Sequence, residues 1–385
     1  MFVQSLNNSL IILTILFFLI SCSRNNNESK PGGVSGGIFY PLNEKQSVYE
    51  ARIDSFFLNR YTRGLFNGAV LFAEGKNTIY KNALGYGNFR KKDTLTIDSK
   101  FQLASVTKPL TAYGIMLLEK EGKISFQDSI RHFFTNFPYE NITLRQLLIH
   151  RSGLPAYMYF ADELWKEDDR DITINNFDVI DLMIEYEPMR YYYPGQRYNY
   201  NNTNYSILAA IIEHVSGMSY ENYMQKYVFD LIGMTNTEIY NREINPENPF
   251  PVIGYNGYRR KAGNTYLNGV VGDKGIYSTV EDLFKFNRAL FEYKQLDSTK
   301  TKLAYQLAHE ELHDHDNYGY GWRVNLRPDS TKIVYHTGWW KGFRSYFIRE
   351  LNTEKCIIVL TNRSKGGVLS TKELCELFDI ESGLD

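Results

Sequence analysis

The chain has 385 residues, and its 43 Lys and Arg against 44 Asp and Glu give a formal net charge of −1. This balance, without a long basic run, excludes the electrostatic footprint of a nucleic-acid-binding protein, and 43% hydrophobic residues with 30 Tyr and 24 Phe exclude disorder for most of the chain. The length exceeds the roughly 250–300 residues at which one core stops growing, so we expect two domains or one domain with a large insertion.

The first predicted element is an export signal. Residues 9–20 form an apolar run that is shorter than the roughly 20 residues of a membrane span and typical of a signal peptide. The run ends at Leu-Ile-Ser-Cys22, which resembles a bacterial lipoprotein signal. That resemblance implies a signal peptide over residues 1–21, a lipidated Cys22 and, because Ser23 follows, an outer-membrane location with either face open. A cleaved secretory signal with an incidental Cys22 is the alternative, since the first nine residues carry no Lys or Arg.

Residues 22–46 are polar and Gly-rich, and we interpret them as a flexible, lipidated tether before a folded domain over residues 47–385. The tether contains a literal G-x-S-x-G centred on Ser35. A nucleophile elbow requires a strand before the serine and a helix after it, and the sequence predicts neither here. Beyond the tether, we expect Cys356 and Cys375 to be two buried thiols, because two cysteines do not make a disulfide framework.

The folded domain is predicted to begin with a β-hairpin, continue through helices and end with strands and a closing helix. The predicted elements are the hairpin 67–73 and 78–85, a helix from residue 110 closed by Gly122, a helix capped by Thr143 and Gln146, a helix over 205–216 closed by Gly217, strands over 319–326, 332–336, 344–349 and 356–361, and a helix over 369–378. This order predicts a mixed α/β (α+β) fold. One antiparallel sheet would be built from both chain ends and flanked by helices, with a helical subdomain inserted at roughly residues 110–260.

The first chemical motif lies where the leading strands give way to a helix. Ser105 and Lys108 form an S-x-x-K pattern at a predicted helix start. A residue three positions along a helix lies on the same face, and unpaired N–H groups at a helix start favour negative charge. The two side chains can therefore touch, although this spacing alone also occurs in ordinary capped helices.

Two further motifs follow in order: Tyr200 with Asn202 (Y-x-N) in a polar loop before a helix, and His336-Thr337-Gly338 at the end of a predicted strand. With the framework segments 66–70, 148–155, 275–279 and 320–322, the chain resembles the serine β-lactamase-related superfamily, which includes class C β-lactamases, D-alanyl-D-alanine carboxypeptidases and their esterase relatives. This resemblance covers residues 67–361. It implies a β-lactamase/transpeptidase-like fold and no cofactor.

The resemblance also implies a role for each motif residue. Ser105 would be the nucleophile that forms an acyl-enzyme, and Lys108 and Tyr200 would jointly move the proton, without a choice between them. Asn202 and the His336-Thr337-Gly338 segment would bind substrate. The backbone amides of Ser105 and Trp339 would form the oxyanion hole.

Two departures from the family pattern bear on the substrate. His336 stands where many relatives have Lys, and a histidine is largely neutral at pH 7, so it anchors a carboxylate less strongly. Trp339 and Trp340 replace small residues. Both favour an uncharged ester or amide with an apolar part over penicillin or D-alanyl-D-alanine. We further hypothesise an aromatic wall around the cleft, made by Tyr157, Tyr159, Phe160, Tyr191, Tyr192, Tyr193, Trp339 and Trp340.

A competing motif is the literal H-E-x-x-H at residues 309–313, which on a helix would place His309 and His313 for zinc with Glu310 as base. No later helix supplies a third ligand, so we interpret it as a solvated surface segment and predict no metal. We also expect His132, His150 and His214 to be structural.

The sequence thus predicts an envelope-anchored serine hydrolase acting on an ester or amide. β-Lactamase or D-alanyl-D-alanine carboxypeptidase activity is the first alternative, and an inactive peptidoglycan-binding lipoprotein is the second. Its predicted partners are a small-molecule or peptide substrate and, through the lipid, a membrane. The sequence does not predict an oligomeric state.

Overall fold

The structure is a computed structural model that describes residues 42–166, 170–308, 317–327 and 329–382. The predicted signal peptide and Cys22 lie outside these ranges, as does the H-E-x-x-H motif. Within the described ranges, no helix combines the length and apolar character needed to cross a membrane.

A six-stranded antiparallel sheet forms the centre of the fold. The strands of the described chain are β1 Gly68–Glu74, β2 Asn77–Leu84, β3 Tyr86–Asn88, β4 Asp93–Thr94, β5 Phe101–Gln102, β6 Glu238–Ile239, β7 Ile276–Ser278, β8 Arg323–Leu326, β9 Lys332–Trp340, β10 Phe343–Glu350 and β11 Lys355–Thr361. The large sheet has the order β2-β1-β11-β10-β9-β8, so an N-terminal hairpin joins four C-terminal strands. This confirms the predicted sheet from both chain ends.

Helices cover both faces of the sheet and fill the middle of the chain. They are α1 Glu44–Thr62, α2 Thr107–Lys120, α3 Ile130–Phe133, α4 Leu144–Leu148, α5 Tyr157–Leu164, α6 Asn176–Tyr186, α7 Asn202–Ser216, α8 Tyr220–Met224, α9 Asp230–Ile232, α10 Val280–Phe291, α11 Ser298–Leu303 and α12 Thr371–Glu376. The predicted capping box of Thr143 with Gln146 is present, and Gly217 ends α7 in the left-handed conformation. The boundaries of a separate helical subdomain at 110–260 stay a prediction.

The two faces of the sheet bury different clusters, because successive side chains of a strand point to opposite sides. In β11, Ile357 and Val359 pack towards α1 and α12, whereas Ile358 and Leu360 pack into the larger core with α2 and α10. Cys356 and Cys375 are both buried and free, which confirms the prediction of two thiols.

Helix α1 precedes the hairpin and was not predicted. Asn43 and Gln46 form a reciprocal capping box that starts it, so the folded part begins inside the segment interpreted as tether, which was placed up to residue 46. Its buried side chains Tyr49, Ile53 and Phe57 recur every four residues, the spacing of one helix face.

A small three-stranded sheet, β5-β7-β6, ties the helical middle of the chain to the start of α2. The amide of Leu103 donates to the carbonyl of Ile276 (2.8 Å), and the hydroxyl of Ser345 in β10 donates to the carbonyl of Leu103. On the other side, β9 approaches the same turn so closely that a Cβ at Gly338 would overlap the Leu103 carbonyl oxygen. The start of α2 is therefore fixed from both sheets, and it carries the first chemical motif.

Candidate active site

Ser105 lies in a single 3-10 turn, Ala104–Val106, between β5 and α2. Ala104 has φ 50°, in the left-handed region that a residue with a side chain occupies only at a cost of about 1–3 kcal/mol. The contacts of Leu103 and Gly338 described above hold this turn on both sides. The strained turn joins β5 to α2 and carries Ser105, which stays partly exposed.

Lys108 is the centre of the site. Its ammonium Nζ lies 3.1 Å from Ser105 Oγ, 2.7 Å from Asn202 Oδ1 and 2.9 Å from the backbone oxygen of Asp273. These partners come from the turn before α2, from the first residue of α7 and from the loop before β7. The structure therefore brings Ser105, Lys108 and Asn202 together, and their chemical roles stay predictions.

The environment of Lys108 opposes its charge. The side chain is 0% exposed, and burial lowers its pKa from 10.5 to about 7. The carboxylate of Asp273 acts in the opposite direction, and the guanidinium of Arg323 lowers the pKa further. Near neutral pH a substantial fraction of this amine is therefore unprotonated and able to accept a proton.

Tyr200 packs beside the same ammonium, with Lys108 Nζ 5.1 Å from the ring centroid. Burial raises the pKa of Tyr200, while a hydrogen bond with Ser105 and the charge of Arg323 lower it in part. The net shift is upwards, so the phenol keeps its proton at neutral pH. The pKa of Lys108 is therefore lowered and that of Tyr200 raised, and the joint role of the two groups stays a prediction.

His336 lies on β9 with 1% of its surface exposed. Its Nδ1 lies 2.7 Å from the carbonyl of Thr337 and its Nε2 2.9 Å from the hydroxyl of Tyr318. A carbonyl only accepts, so Nδ1 carries the proton and Nε2 accepts from Tyr318. Burial, then Lys108 and Arg323, hold the pKa of His336 well below its usual value, so the ring is neutral. Both nitrogens are engaged by protein groups, and direct contact with substrate stays a prediction.

Thr337 and Gly338 complete this motif, Trp339 and Trp340 follow it, and these four residues differ in exposure. Thr337 is partly exposed and Gly338 is buried against the Ser105 turn. The side chain of Trp339 is 58% exposed, whereas Trp340 donates from Nε1 to Asn268 Oδ1 (2.9 Å). The oxyanion role of the Ser105 and Trp339 amides stays a prediction.

A second buried cluster supports Lys108 from behind and was not predicted. The hydroxyl of Tyr157 lies 3.0 Å from Asp273 Oδ2, and Lys274 Nζ lies 2.7 Å from the same hydroxyl and 2.9 Å from the carbonyl of Val270. Lys274 Nζ also lies 5.2 Å from the ring centroid of Trp340. These contacts fix the loop in which the Asp273 carbonyl accepts a hydrogen bond from Lys108. Asp273 and Lys274 directly precede the framework segment that starts at Gly275, and this position was the sequence signal that could have identified them.

Arg323 on β8 is a further cation that the sequence analysis missed. Its guanidinium lies 5.3 Å from the ring centroid of Tyr200, and nearby Tyr198, Tyr318 and Tyr335 help to raise its pKa against the effect of burial. Among the described residues, no carboxylate lies within ion-pair distance of it. It directly follows the framework segment at residues 320–322, so its position could have been noted.

The predicted aromatic wall is wrong for two of its members. Tyr157 is completely buried beneath the site and Phe160 belongs to the core, because both rings point inwards from α5. Tyr159 of the same helix is 70% exposed, and its neighbour Met158 lies 3.6 Å (Sδ) from the Asn202 amide. The exposed rings of Tyr191 and Tyr193 and of Trp339 remain available at the surface.

No cluster of three His, Cys, Asp or Glu side chains that could hold a metal occurs among the residues that the structure describes. The interpretation of the H-E-x-x-H segment stays a prediction, since that segment is outside them. His132 is exposed, and His214 packs its ring against Phe134 with centroids 5.5 Å apart. His150 is buried beside Tyr200, with ring centroids 4.4 Å apart.

The burial of Lys108 makes stability depend on pH. The unfolded chain keeps this proton up to pH 10.5 and the folded chain loses it near 7, so between these values the unfolded state binds more protons and folding stability rises with pH. Lys108→Met removes that dependence. In urea titrations, we expect the difference in unfolding free energy, wild type minus Lys108→Met, to increase by about 1.4 kcal/mol for each pH unit from pH 7 to 10.

The three oxygens that Lys108→Met leaves without this partner cost an amount that does not vary with pH, so the comparison rests on the slope. Lys91→Met, at an exposed lysine, is the matched control and should run parallel to the wild type. A Lys108→Met curve that also runs parallel would contradict the lowered pKa.

Comparison with known proteins gives the site its context. The family described as Beta-lactamase matches residues 53–374. Penicillin-binding protein 4* of Bacillus subtilis is 34% identical over 313 residues, which are 78% of this chain and 69% of that protein. A penicillin-binding protein of Bacillus halodurans (TM-score 0.72, 24% identity, 84% of this chain and 98% of that chain) shares the fold. So does D-amino acid amidase of Ochrobactrum anthropi SV3 in complex with D-phenylalanine (TM-score 0.68, 23% identity, 87% and 98%). This chain belongs to the β-lactamase-fold family of serine hydrolases.

Proposed function

We propose that the chain is an envelope-anchored serine hydrolase that forms an acyl-enzyme at Ser105 on an ester or amide. The observation that carries this proposal is the buried ammonium of Lys108, 3.1 Å from Ser105 Oγ, with its pKa lowered to about 7. A serine hydroxyl attacks a carbonyl only when a base takes its proton, and Lys108 meets the requirements of distance and pKa.

The geometry supports a division of labour. Ser105 Oγ forms the bond to the carbonyl carbon while its proton passes to the neutral amine of Lys108. Tyr200, which keeps its proton and bonds Ser105, donates to the departing oxygen or nitrogen, and Lys108 then returns its proton to Tyr200. A water molecule, activated by the reverse transfers, cleaves the acyl-enzyme. The amides of Ser105 and Trp339 would hold the oxyanion in both steps.

Asn202 has two separate tasks in this scheme. Its Oδ1 accepts from Lys108, which leaves its amide Nδ2 to donate to a carbonyl of the substrate. Among the described residues, that amide contacts the sulfur of Met158, a weak acceptor. An Asp at this position would remove that donor and place a charge beside Lys108.

The rim favours an uncharged substrate with an apolar or aromatic part. His336 is neutral and both its ring nitrogens have protein partners, so it contributes no positive charge. Two exposed aromatic rings belong to Trp339, which directly follows the His336-Thr337-Gly338 motif, and to Tyr159, which follows the Met158 that contacts Asn202. The structural similarity to an amidase bound to D-phenylalanine agrees with an aromatic substituent.

The direct test is covalent labelling of the full-length chain with a fluorescent fluorophosphonate and a fluorescent penicillin. We expect the fluorophosphonate to label the wild type and not Ser105→Ala. Because the reactive form has a neutral Lys108, the labelling rate should fall about tenfold for each unit below pH 7 and level off above it.

Labelling by the fluorophosphonate alone, with turnover of an ester panel, identifies an esterase. If neither probe labels Ser105 and no ester is turned over, the hydrolase proposal fails. An inactive peptidoglycan-binding protein then becomes the better interpretation.

A second candidate function is the binding or hydrolysis of penicillins and stem peptides, and Arg323 favours it. Its guanidinium has no carboxylate partner among the described residues and lies beside Tyr200, one strand away from the Thr337 segment. A carboxylate there would make a charge-assisted pair that the neutral His336 does not supply. The similarity to penicillin-binding protein 4* points the same way.

Arg323→Leu separates the two candidates. Because Arg323 also lowers the pKa of Lys108, both labelling rates are measured on the plateau above that pKa. If a carboxylate is recognised, this variant should there lose at least about tenfold in penicillin labelling relative to fluorophosphonate labelling, since a charged hydrogen bond contributes about 1.5–3 kcal/mol. Arg260→Leu, at an exposed arginine, is the control and should label as the wild type does. Equal losses with both probes would argue against a carboxylate subsite.

We also propose that Cys22 is lipidated and anchors the chain in the cell envelope, at the outer membrane. The support is the apolar run over residues 9–20, the Leu-Ile-Ser-Cys22 sequence and Ser23 after it. Radiolabelled palmitate should enter the wild type and not Cys22→Ser, and the wild type should fractionate with outer membranes. Equal incorporation into both proteins would refute lipidation at Cys22.

A further inference from the structure

His150 lies between α4 and the Gly153 turn, 0% exposed and with a left-handed backbone (φ 56°). Its carbonyl accepts from the amide of Asn199 at 2.9 Å, so the strained residue already contacts the loop that carries Tyr200. Strain of about 1–3 kcal/mol persists only where the surroundings hold it.

The imidazole ring makes two further bonds to the same part of the chain. The amide of Asn201 donates to Nδ1 at 3.2 Å, and Asn204 Nδ2 lies 2.9 Å from the same nitrogen. Asn204 presents its amide group here because its Oδ1 accepts from Ser152 at 2.6 Å. A backbone N–H can only donate, so Nδ1 is an acceptor and the ring proton lies on Nε2.

The face of the His150 ring packs under Tyr200, with centroids 4.4 Å apart. Tyr318 lies 4.5 Å away on another side and donates its hydroxyl to His336, and the ring of Tyr205 lies at 5.2 Å. Nε2 is buried and has no hydrogen-bond partner among the residues that the structure describes, which is costly and rare for a structural side chain.

The charged groups around the ring require it to be neutral. Burial, then Lys108, His336 and Arg323, hold the pKa of His150 well below its usual value, and the phenols of Tyr200, Tyr205 and Tyr318 are uncharged because burial raises their pKa values. A cationic His150 could not accept from Asn201.

We propose that His150 is a positioning residue whose neutral Nε2–H form fixes the loop from Tyr198 to Asn202, and so sets Tyr200 and Asn202 against Lys108 and Ser105. This inference rests on the proposed function, because the readout is acylation of Ser105. It assigns no contact between His150 and the substrate.

The test compares His150→Ala, His150→Asn and His150→Gln in the full-length chain. The rate of fluorophosphonate labelling is measured from pH 6 to 9, at temperatures where each protein is folded by circular dichroism. We expect His150→Ala to label about 100-fold more slowly, because displacement of a reacting group by about 1 Å costs that much. Water in the vacated space should also move the acidic limb to higher pH, since it relieves the burial of Lys108.

The amide variants separate positioning from core packing. The side-chain oxygen Oδ1 of Asn can replace Nδ1 as acceptor, whereas the amide of Gln reaches the position of Nε2. The rate of fluorophosphonate labelling should therefore be at least about tenfold higher for His150→Asn than for His150→Gln. His132→Asn, at an exposed histidine, is the control and should match the wild type. If His150→Ala keeps the wild-type rate and pH limb, or if Gln equals or exceeds Asn, the proposal is overturned.

A measurement without variants covers the remaining cases. Long-range 1H–15N spectra should show His150 in the neutral Nε2–H form at pH 7, and a cationic ring or the Nδ1–H form would overturn the proposal even if His150→Ala does not fold. If the wild type is not labelled at all, the proposed function has failed. The tautomer and the hydrogen bond from Asn201, seen as a coupling across it, then decide the positioning claim alone.

Discussion

The site depends on one buried ammonium group. Lys108 Nζ is the only described atom that joins the turn before α2, the start of α7 and the loop before β7 by hydrogen bonds at once. Each of these segments is fixed separately: the turn by both sheets, the helix start by His150, and the loop by Tyr157 and Lys274. The three segments therefore do not need the ammonium to hold them in position. The fold positions three oxygen atoms, and the Lys108 ammonium lies among them although burial disfavours its charge.

This arrangement links the lowered pKa of Lys108 to a cost in stability. Burying an ammonium is unfavourable, and a buried pair or network contributes less to stability than apolar packing of the same volume. Asp273 reduces the penalty, yet Arg323 increases it, and the result is an amine poised near neutrality. A better-compensated lysine would give a more stable protein and a weaker base.

Much of the fold could be predicted because its signals are local. The hairpin at residues 68–84, the capping box at Thr143 and the glycine that ends α7 follow from turn chemistry and periodicity within a few residues. Helix α1 was missed although Tyr49, Ile53 and Phe57 have helical spacing, because long polar side chains between them lower its mean hydropathy. The motif residues Ser105, Lys108 and Asn202 could be named because their order along the chain resembles that of a known family.

The supporting residues could not be predicted for the opposite reason. Arg323 and Asp273 lie beside the framework segments 320–322 and 275–279, and His150 lies inside the segment 148–155, but these places along the chain indicate no role. Each residue acquires its significance from neighbours that the tertiary structure brings to it. The abundance of tyrosine is now partly explained in the same way. Several buried tyrosines donate hydrogen bonds from their hydroxyls to protein groups, as Tyr205 does to the carbonyl of Leu148 (2.8 Å) and Tyr346 to that of Leu369 (2.8 Å). These side chains therefore fill the core and also satisfy buried backbone carbonyls.

The pairing of β1 with β11 has a consequence for how the protein reaches this structure. The hairpin partner β2 directly follows β1, but the other edge of β1 pairs with β11, which is far along the chain. Sheets closed by such distant pairings fold slowly, and an unpaired apolar edge is prone to aggregate during the delay. Until β11 has been made, this edge of β1 lacks its partner and is open to chaperones, so the centre of the large sheet is completed late in folding.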